Sequence, residues 1–358
     1  MSERVYLDHA ATTPVLPEAR EAMARALESW ANPSSPHADG RRERGALEKS
    51  RRTIADMLEW RHDVILTSGA SEAIQIVASR AKPARRIVGP TEHDAAIAAM
   101  GESAEMLSVD DNGLIDLAAL RAALAGEAAL VAIQLVNNET AVIQPIAAIQ
   151  EAVSAAGSLL LCDCAQAAGK IALPDADFIA ISGHKFGGPP GAGALLVKDL
   201  RSIAPSGGQE RGYRRGTENL PAAAGMAAAL ESRGFADAMP RLGELRAGLE
   251  REIVAAGGAV IAAGAPRVAT IGAYAMPGVA SAAQLVQLDL AGISVSAGSA
   301  CSSGSMKPSR VLAAMGVPEA TASSVIRVSF GPSTSEREIE RFLAEWKKIA
   351  THAKAQAA

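Results

Sequence analysis

Through its first half the chain alternates short apolar runs with Ala/Leu/Glu/Arg-rich segments at helical spacing. Asp63–Leu66, Arg86–Gly89, Ala129–Val136, Ser158–Cys162 and Asp177–Ile181 read as strands, and Ala192–Val197 as one more. Glu18–Ser29, Arg41–Glu59, Ser71–Ala81, Leu117–Ala125 and Ile146–Ala156 read as helices. Such alternation predicts parallel strands joined by crossover helices, hence an α/β sheet covered on both faces. Ligands of such sheets bind beyond the carboxyl ends of the strands. Pro221 to about Ala256 reads as one long helix, after which the texture changes to Gly/Ala-rich strands and shorter helices. A chain of 358 residues is long for one core, so two domains are expected, divided inside or at the end of that helix.

Composition narrows the function classes. Charged residues make up 21% and hydrophobic residues 49%, a globular balance, and the formal net charge of −4 gives no reason to expect nucleic acid or an anionic membrane as a partner. The start, Met1-Ser2-Glu3-Arg4-Val5, has no apolar signal core, and apolar stretches such as Ala128 to Val136 are too short to span a bilayer. Three cysteines without disulfide-like spacing suit a reducing compartment, so a cytoplasmic protein is expected.

The predicted strand ends carry the chemistry. They are followed in turn by Thr67-Ser68-Gly69-Ala70-Ser71-Glu72, by Thr91-Glu92-His93, by Asn137-Asn138-Glu139-Thr140, by Asp163 with Gln166 a turn on, and by Ser182, His184 and Lys185. One polar cluster would mean little; a set at successive strand ends points to one site. In the first, Gly69 permits a tight turn, and the free N–H groups of the following helix with the Ser71 hydroxyl suit a phosphate. Simple capping by Ser68 or Ser71 is the alternative. Lys185 closes an apolar run before a glycine-rich turn. A desolvated lysine amine is nucleophilic, as a pyridoxal phosphate (PLP) Schiff-base lysine must be. That cofactor also needs an acid at its ring nitrogen, and Asp163 offers one. In isolation Asp163 reads equally as a helix N-cap. His93 could stack on a flat ring and exchange protons, or be structural.

Cys162 and Cys164 share a strand face opposite Asp163 and read as buried packing thiols, with metal or redox chemistry as the lesser alternative. Cys301 sits in Ser296-Ala297-Gly298-Ser299-Ala300-Cys301-Ser302-Ser303-Gly304-Ser305, a small-residue run that reads as a mobile loop. Nothing apolar there explains the cysteine by packing; it is an incidental thiol or a nucleophile able to enter a site built elsewhere. Arg327 interrupts the strand-like run Ser324–Gly331, where it either faces solvent or turns inward to bind a carboxylate. No Walker A loop, helix-opening Gly-x-Gly-x-x-Gly or metal-type His/Glu cluster is present.

Taken together the motifs resemble the cysteine desulfurases, class V aminotransferase-like enzymes of PLP fold-type I, nearly end to end. The likeness begins at Tyr6-Leu7-Asp8-His9-Ala10-Ala11-Thr12-Thr13-Pro14 and Asn32-Pro33-Ser34-Ser35-Pro36-His37 and runs through the strand-end clusters. It closes with Arg211-Gly212-Tyr213-Arg214-Arg215-Gly216-Thr217-Glu218-Asn219 and Gly298-Ser299-Ala300-Cys301. Within the family it is similar to the group with the long mobile cysteine loop, which includes iron–sulfur and nitrogenase-maturation enzymes.

The resemblance implies a large α/β domain over 14–250, with a mostly parallel seven-stranded sheet flanked by helices. A smaller α+β domain would comprise 1–13 and 251–358 and carry the Cys301 loop. It implies PLP as cofactor, bound through Lys185, with Asp163 at the pyridine nitrogen, Gln166 at the ring hydroxyl and His93 stacked on the ring. Ala70, Ser71, Ser182 and His184 would hold the phosphate, joined by Thr217 from the second subunit of a homodimer. Asn138 and Arg327 would orient the substrate carboxylate, and Cys301 would take up sulfur as a persulfide. The implied reaction turns L-cysteine into L-alanine, the sulfur passing to acceptor or iron–sulfur scaffold proteins. Selenocysteine lyase, another class V aminotransferase, and a non-enzymatic sulfur carrier using Cys301 are the alternatives. The chain departs from the family pattern in having Ser71 where threonine is frequent, Ala31 and Ala141 where glycine is common, and Gly187-Gly188-Pro189-Pro190 after the lysine.

Overall fold

The structure, a computed structural model, describes residues 4–298 and 309–357. A two-residue strand β1 (Val5–Tyr6) comes first, then helices α1 (Pro17–Glu28) and α2 (Ala38–Met57). The α/β alternation follows: β2 (Asp63–Thr67), α3 (Ala70–Arg80), β3 (Arg85–Val88), α4 (Asp94–Met100), β4 (Glu105–Met106) and α5 (Leu117–Ala123). It continues with β5 (Ala129–Ala132), α6 (Ile146–Ala155), β6 (Leu159–Asp163), β7 (Phe178–Ser182) and β8 (Gly193–Val197). Then come α7 (Leu220–Glu231), α8 (Gly234–Ala255), β9 (Ala259–Val260), β10 (Ile271–Ala275), α9 (Ser281–Leu290) and β11 (Ile293–Ser294). The chain closes with α10 (Arg310–Ala314), α11 (Glu319–Ala322), β12 (Val325–Ser329) and α12 (Glu336–Ala357).

Seven strands form one sheet in the order β2-β8-β7-β6-β5-β3-β4, all parallel except β8, which runs antiparallel to both neighbours. This is the α/β, mostly parallel seven-stranded architecture expected. Alternation along the strands divides their side chains between two cores. Leu130, Ala132, Leu161, Phe178 and Ala180 pack against α3 and α4. Val131, Leu160, Cys162, Ile179 and Ile181 face a cluster that includes Ala19, Leu47, Ile54, Ile149 and Met226 from helices on the other side. Burial on both faces explains the nearly continuous apolar runs. Each buried Val, Leu, Ile, Phe or Met among them contributes about 1.5–3 kcal/mol over leaving it in water.

A further core is built from Leu242, Leu249 and Ile253 of α8, Leu288 of α9 and Phe342 and Trp346 of α12. It covers the antiparallel sheet β12-β10-β9 and the parallel pair β1-β11.

Two elements differ from expectation. The single helix predicted from Pro221 to about Ala256 is two, because Arg233 takes a left-handed conformation (φ 54°, ψ 13°) that ends α7 before α8 begins. As a result α8 places Phe235 in the large-sheet core and Leu242, Leu249 and Ile253 in the other. Strand β5 stops at Ala132 rather than Val136. Ile133 and Leu135 still donate to the β6 carbonyls of Leu161 and Asp163, at 3.0 and 2.9 Å. On the other edge the Gln134 N–H goes to the buried Glu92 carboxyl at 2.8 Å instead of to a strand. Among the described residues no helix is long and apolar enough to cross a membrane.

Candidate active site

At the carboxyl ends of β2, β3, β5, β6 and β7 the loops surround a cavity of about 760 Å³. Its walls include ten of the predicted positions: Ala70, Ser71, His93, Asn138, Asp163, Gln166, Ser182, His184, Lys185 and Arg327. Thr217 does not line it and is exposed. Cys301 lies outside the described residues.

Lys185 sits in a 3-10 turn, Gly183–Lys185, that follows β7 directly. Its Nζ donates to the carbonyl oxygens of Ala10 and Ala11, both at 2.8 Å. Burial and the positive charge of Arg327 push its pKa down to about 8, with Asp163 and Asp8 pulling the other way. Asp163 ends β6, one strand over, and accepts from Ala165 N–H at 2.9 Å. Burial raises its pKa, while His93 and Lys185 counteract. Gln166 Nε2 donates to Ala10 O at 2.8 Å, so one carbonyl receives both Gln166 and Lys185.

Around the first turn of α3 the alternative of side-chain capping does not hold: the N-cap is Gly69 and no side chain caps the helix. Its opening N–H groups therefore face the cavity beside Ser71 and Ser182. The approach is close. A Cβ at Gly193 on β8 would collide with Gly69 Cα, so only glycine lets the strand pass under the turn. His184 Nδ1 lies 3.1 Å from Thr12 Oγ1. Burial, then the charges of Lys185 and Lys170, lower its pKa to about 4, so its ring is neutral at physiological pH.

His93 is the N-cap of α4, with Nδ1 accepting from Ala95 N–H at 3.1 Å. That bond places the proton of the neutral ring on Nε2. Arg327, in β12, is buried and turns inward, its NH1 donating to Asn138 O at 3.1 Å and its NH2 paired with Asp8 at 2.8 Å. Its Nε is buried without a partner.

Several wall residues carried no role in the sequence. Ala10 and Ala11 act through backbone carbonyls, which no residue type announces. Glu92 and Glu139 are buried, and burial raises both pKa values, Glu92's well above the usual carboxylate range. Ser309 donates to Glu139 at 2.6 Å, and Arg310 spans Glu92 O at 2.6 Å and Asp94 at 2.9 Å. Asp8 lay inside the quoted N-terminal motif, the one available signal for it. Cys162 and Cys164 are fully buried with their sulfurs 3.6 Å apart. Among the described residues no metal-type cluster occurs, and packing accounts for both thiols.

The donor set fits PLP. An uncapped helix start with hydroxyl and imidazole neighbours suits the phosphate, a depressed lysine amine suits the aldehyde, and a carboxylate on the adjoining strand suits the ring nitrogen. These features define a PLP-type α/β enzyme. The Aminotransferase class-V family model matches residues 5–342. The chain is 38% identical to a cysteine desulfurase of Cereibacter sphaeroides, over 95% of this chain and 94% of that protein. It is 37% identical to one of Klebsiella pneumoniae, over 96% and 91%. Its fold matches the solved NifS-like protein from Rickettsia africae ESF-5 with a TM-score of 0.89 at 29% identity, covering 97% of this chain and 99% of that one. The chain belongs to the PLP-dependent class-V aminotransferase family and, within it, to the cysteine desulfurases.

Proposed function

We propose that the protein converts L-cysteine to L-alanine and holds the released sulfur as a persulfide on Cys301. The observation that carries this reading is the convergence of Lys185, Asp163 and Arg327 on one cavity. Lys185 would carry PLP, Asp163 would keep its ring nitrogen protonated, Gln166 would meet its hydroxyl and His93 its face. Ala70, Ser71, Ser182 and His184 would hold its phosphate. When bound, the cofactor supplies an electron sink next to the substrate Cα.

The chain's own groups do the rest. Arg327 and Asn138 orient the substrate carboxylate. Lys185, whose depressed pKa leaves part of it neutral near pH 7, moves the Cα proton. The Cys301 thiolate attacks the substrate sulfur. An S–S bond forms, the substrate C–S bond breaks, and its electron pair stays with carbon, which takes a proton to become the alanine methyl group. One thiol proton lost by Cys301 balances the one gained by carbon. His93, with its proton on Nε2, would donate a hydrogen bond to the substrate sulfur.

The two-domain division at 1–13, 14–250 and 251–358, a homodimer in which Thr217 completes the partner's phosphate site, and a cytoplasmic location belong to the same reading. So does delivery of the sulfur to acceptor or iron–sulfur scaffold proteins. The test is to add L-cysteine to PLP-loaded protein and follow alanine together with the mass of Cys301. Wild type is expected to form alanine and gain one sulfur atom on Cys301, and Cys301→Ala to lose the sulfur and nearly all turnover. Full sulfur release by Cys301→Ala would overturn the persulfide step, and strong preference for selenocysteine would favour a lyase.

A further inference from the structure

Lys170, in the loop between β6 and β7, is 6% exposed. Among the described residues no carboxylate pairs with it. Its Nζ lies 3.3 Å from Gln166 Oε1 and 5.0 Å from the centre of the Phe235 ring on α8. A buried cation without a counter-charge costs several kcal/mol, and burial with the neighbouring charge of Lys185 pushes this pKa down to about 7. A side chain held at such cost has packing to explain its stem but not its amine.

The hydrogen bonds give the amine a direction. Gln166 has two ways to seat its amide. Ala10 O can only accept, so it takes Nε2, at 2.8 Å. Protonated Lys170 can only donate, so it takes Oε1. The two partners agree, and the amide is fixed from both ends. Ala10 O also receives Lys185 Nζ at 2.8 Å, which joins Lys170, Gln166 and Lys185 in one chain. Gln166 itself lines the cavity, with a second Nε2–H left for whatever the cavity holds.

We propose that Lys170 is a positioning residue for the cofactor pocket: by donating to Gln166 Oε1 from behind the cavity wall, it holds the Gln166 amide with its N–H edge toward the bound cofactor. This rests on the reading that the cavity takes PLP.

The test compares Lys170→Met, Lys170→Gln and Lys170→Arg, each alone and in a Gln166→Ala background. The readouts are the visible absorption band of the PLP-loaded protein and the PLP dissociation constant. Lys170→Met is expected to shift the band and weaken PLP binding by about fivefold to tenfold, the worth of one oriented hydrogen bond. Lys170→Arg, which keeps a donor-only cation, is expected to restore much of both. In the Gln166→Ala background the Lys170 substitutions are expected to add nothing. An unchanged band and affinity in a folded Lys170→Met or Lys170→Gln protein would overturn the proposal. An equal effect with and without Gln166 would also overturn it, by showing a merely structural role. If Lys170→Met does not fold, the Gln and Arg variants decide by the same readouts. Failure of wild type to bind PLP would instead overturn the function proposed above.

Discussion

Lys185 and Lys170 are basic groups placed where charge is disfavoured. Their pKa values stand near 8 and 7, against 10.5 for an ordinary lysine. Below about pH 7 both amines are charged, folded or not, and the fold bears the full cost of burying them. Between about 7 and 10.5 the unfolded chain holds more protons than the folded one, so stability rises with pH across that window. In the cofactor-free protein we expect the melting temperature to rise from pH 7 to 9, reflecting a gain of about 3–4 kcal/mol. A Lys185→Met, Lys170→Met double variant is expected to lose most of that rise. A wild-type melting temperature that is flat or falling over this range would contradict the burial of the two amines. Of this pair, Lys185 was legible in the sequence because it stands at a strand end beside Ser182 and His184. Lys170 was not, since a lysine a few residues past a strand ordinarily points into water.

Among the elements, the strand–turn–helix unit β2-Gly69-α3 and its crossing by β8 set the anion-binding corner. Gly193→Ala would push a methyl group into the Gly69 backbone. The expected cost is about 1–3 kcal/mol in urea unfolding, accompanied by weaker PLP binding. A cost below about 0.5 kcal/mol would mean that the turn moves freely and does not shape the site. Strand and helix periodicity placed these elements to within a few residues because apolar spacing is a local property of the chain. It failed where a tertiary partner intervened. The Glu92 carboxyl takes the Gln134 N–H and ends β5 early. The left-handed Arg233 breaks a helix that spacing alone would have continued, letting α8 run from one core to the other. Ala141, standing where relatives often have glycine, is held at φ 72° and packs fully buried.

At the scale of the whole molecule, Thr217 is exposed and away from the cavity, so its proposed role requires a second copy of the chain. A dimer is expected in sedimentation at micromolar concentration. Thr217→Ala is expected to weaken PLP binding. Heterodimers of Thr217→Ala with Lys185→Ala are then expected to recover wild-type affinity at half their sites, since one site would contain neither substitution. A monomer, or heterodimers that bind only as Thr217→Ala does, would remove Thr217 from the site. The sequence by itself determined the sheet class and the strand ends where chemistry collects, because both are written in local spacing and in the order of motifs. It also carried the family, through the combination of those motifs. Only the tertiary structure decided how the groups act on one another. Asp8 and Asn138 meet Arg327 from distant parts of the chain, Ala10 receives both Gln166 and Lys185, and Lys170 reaches Gln166 from behind the wall. Proton affinities and amide orientations depend on burial and on neighbours remote in sequence, which residue order does not encode locally.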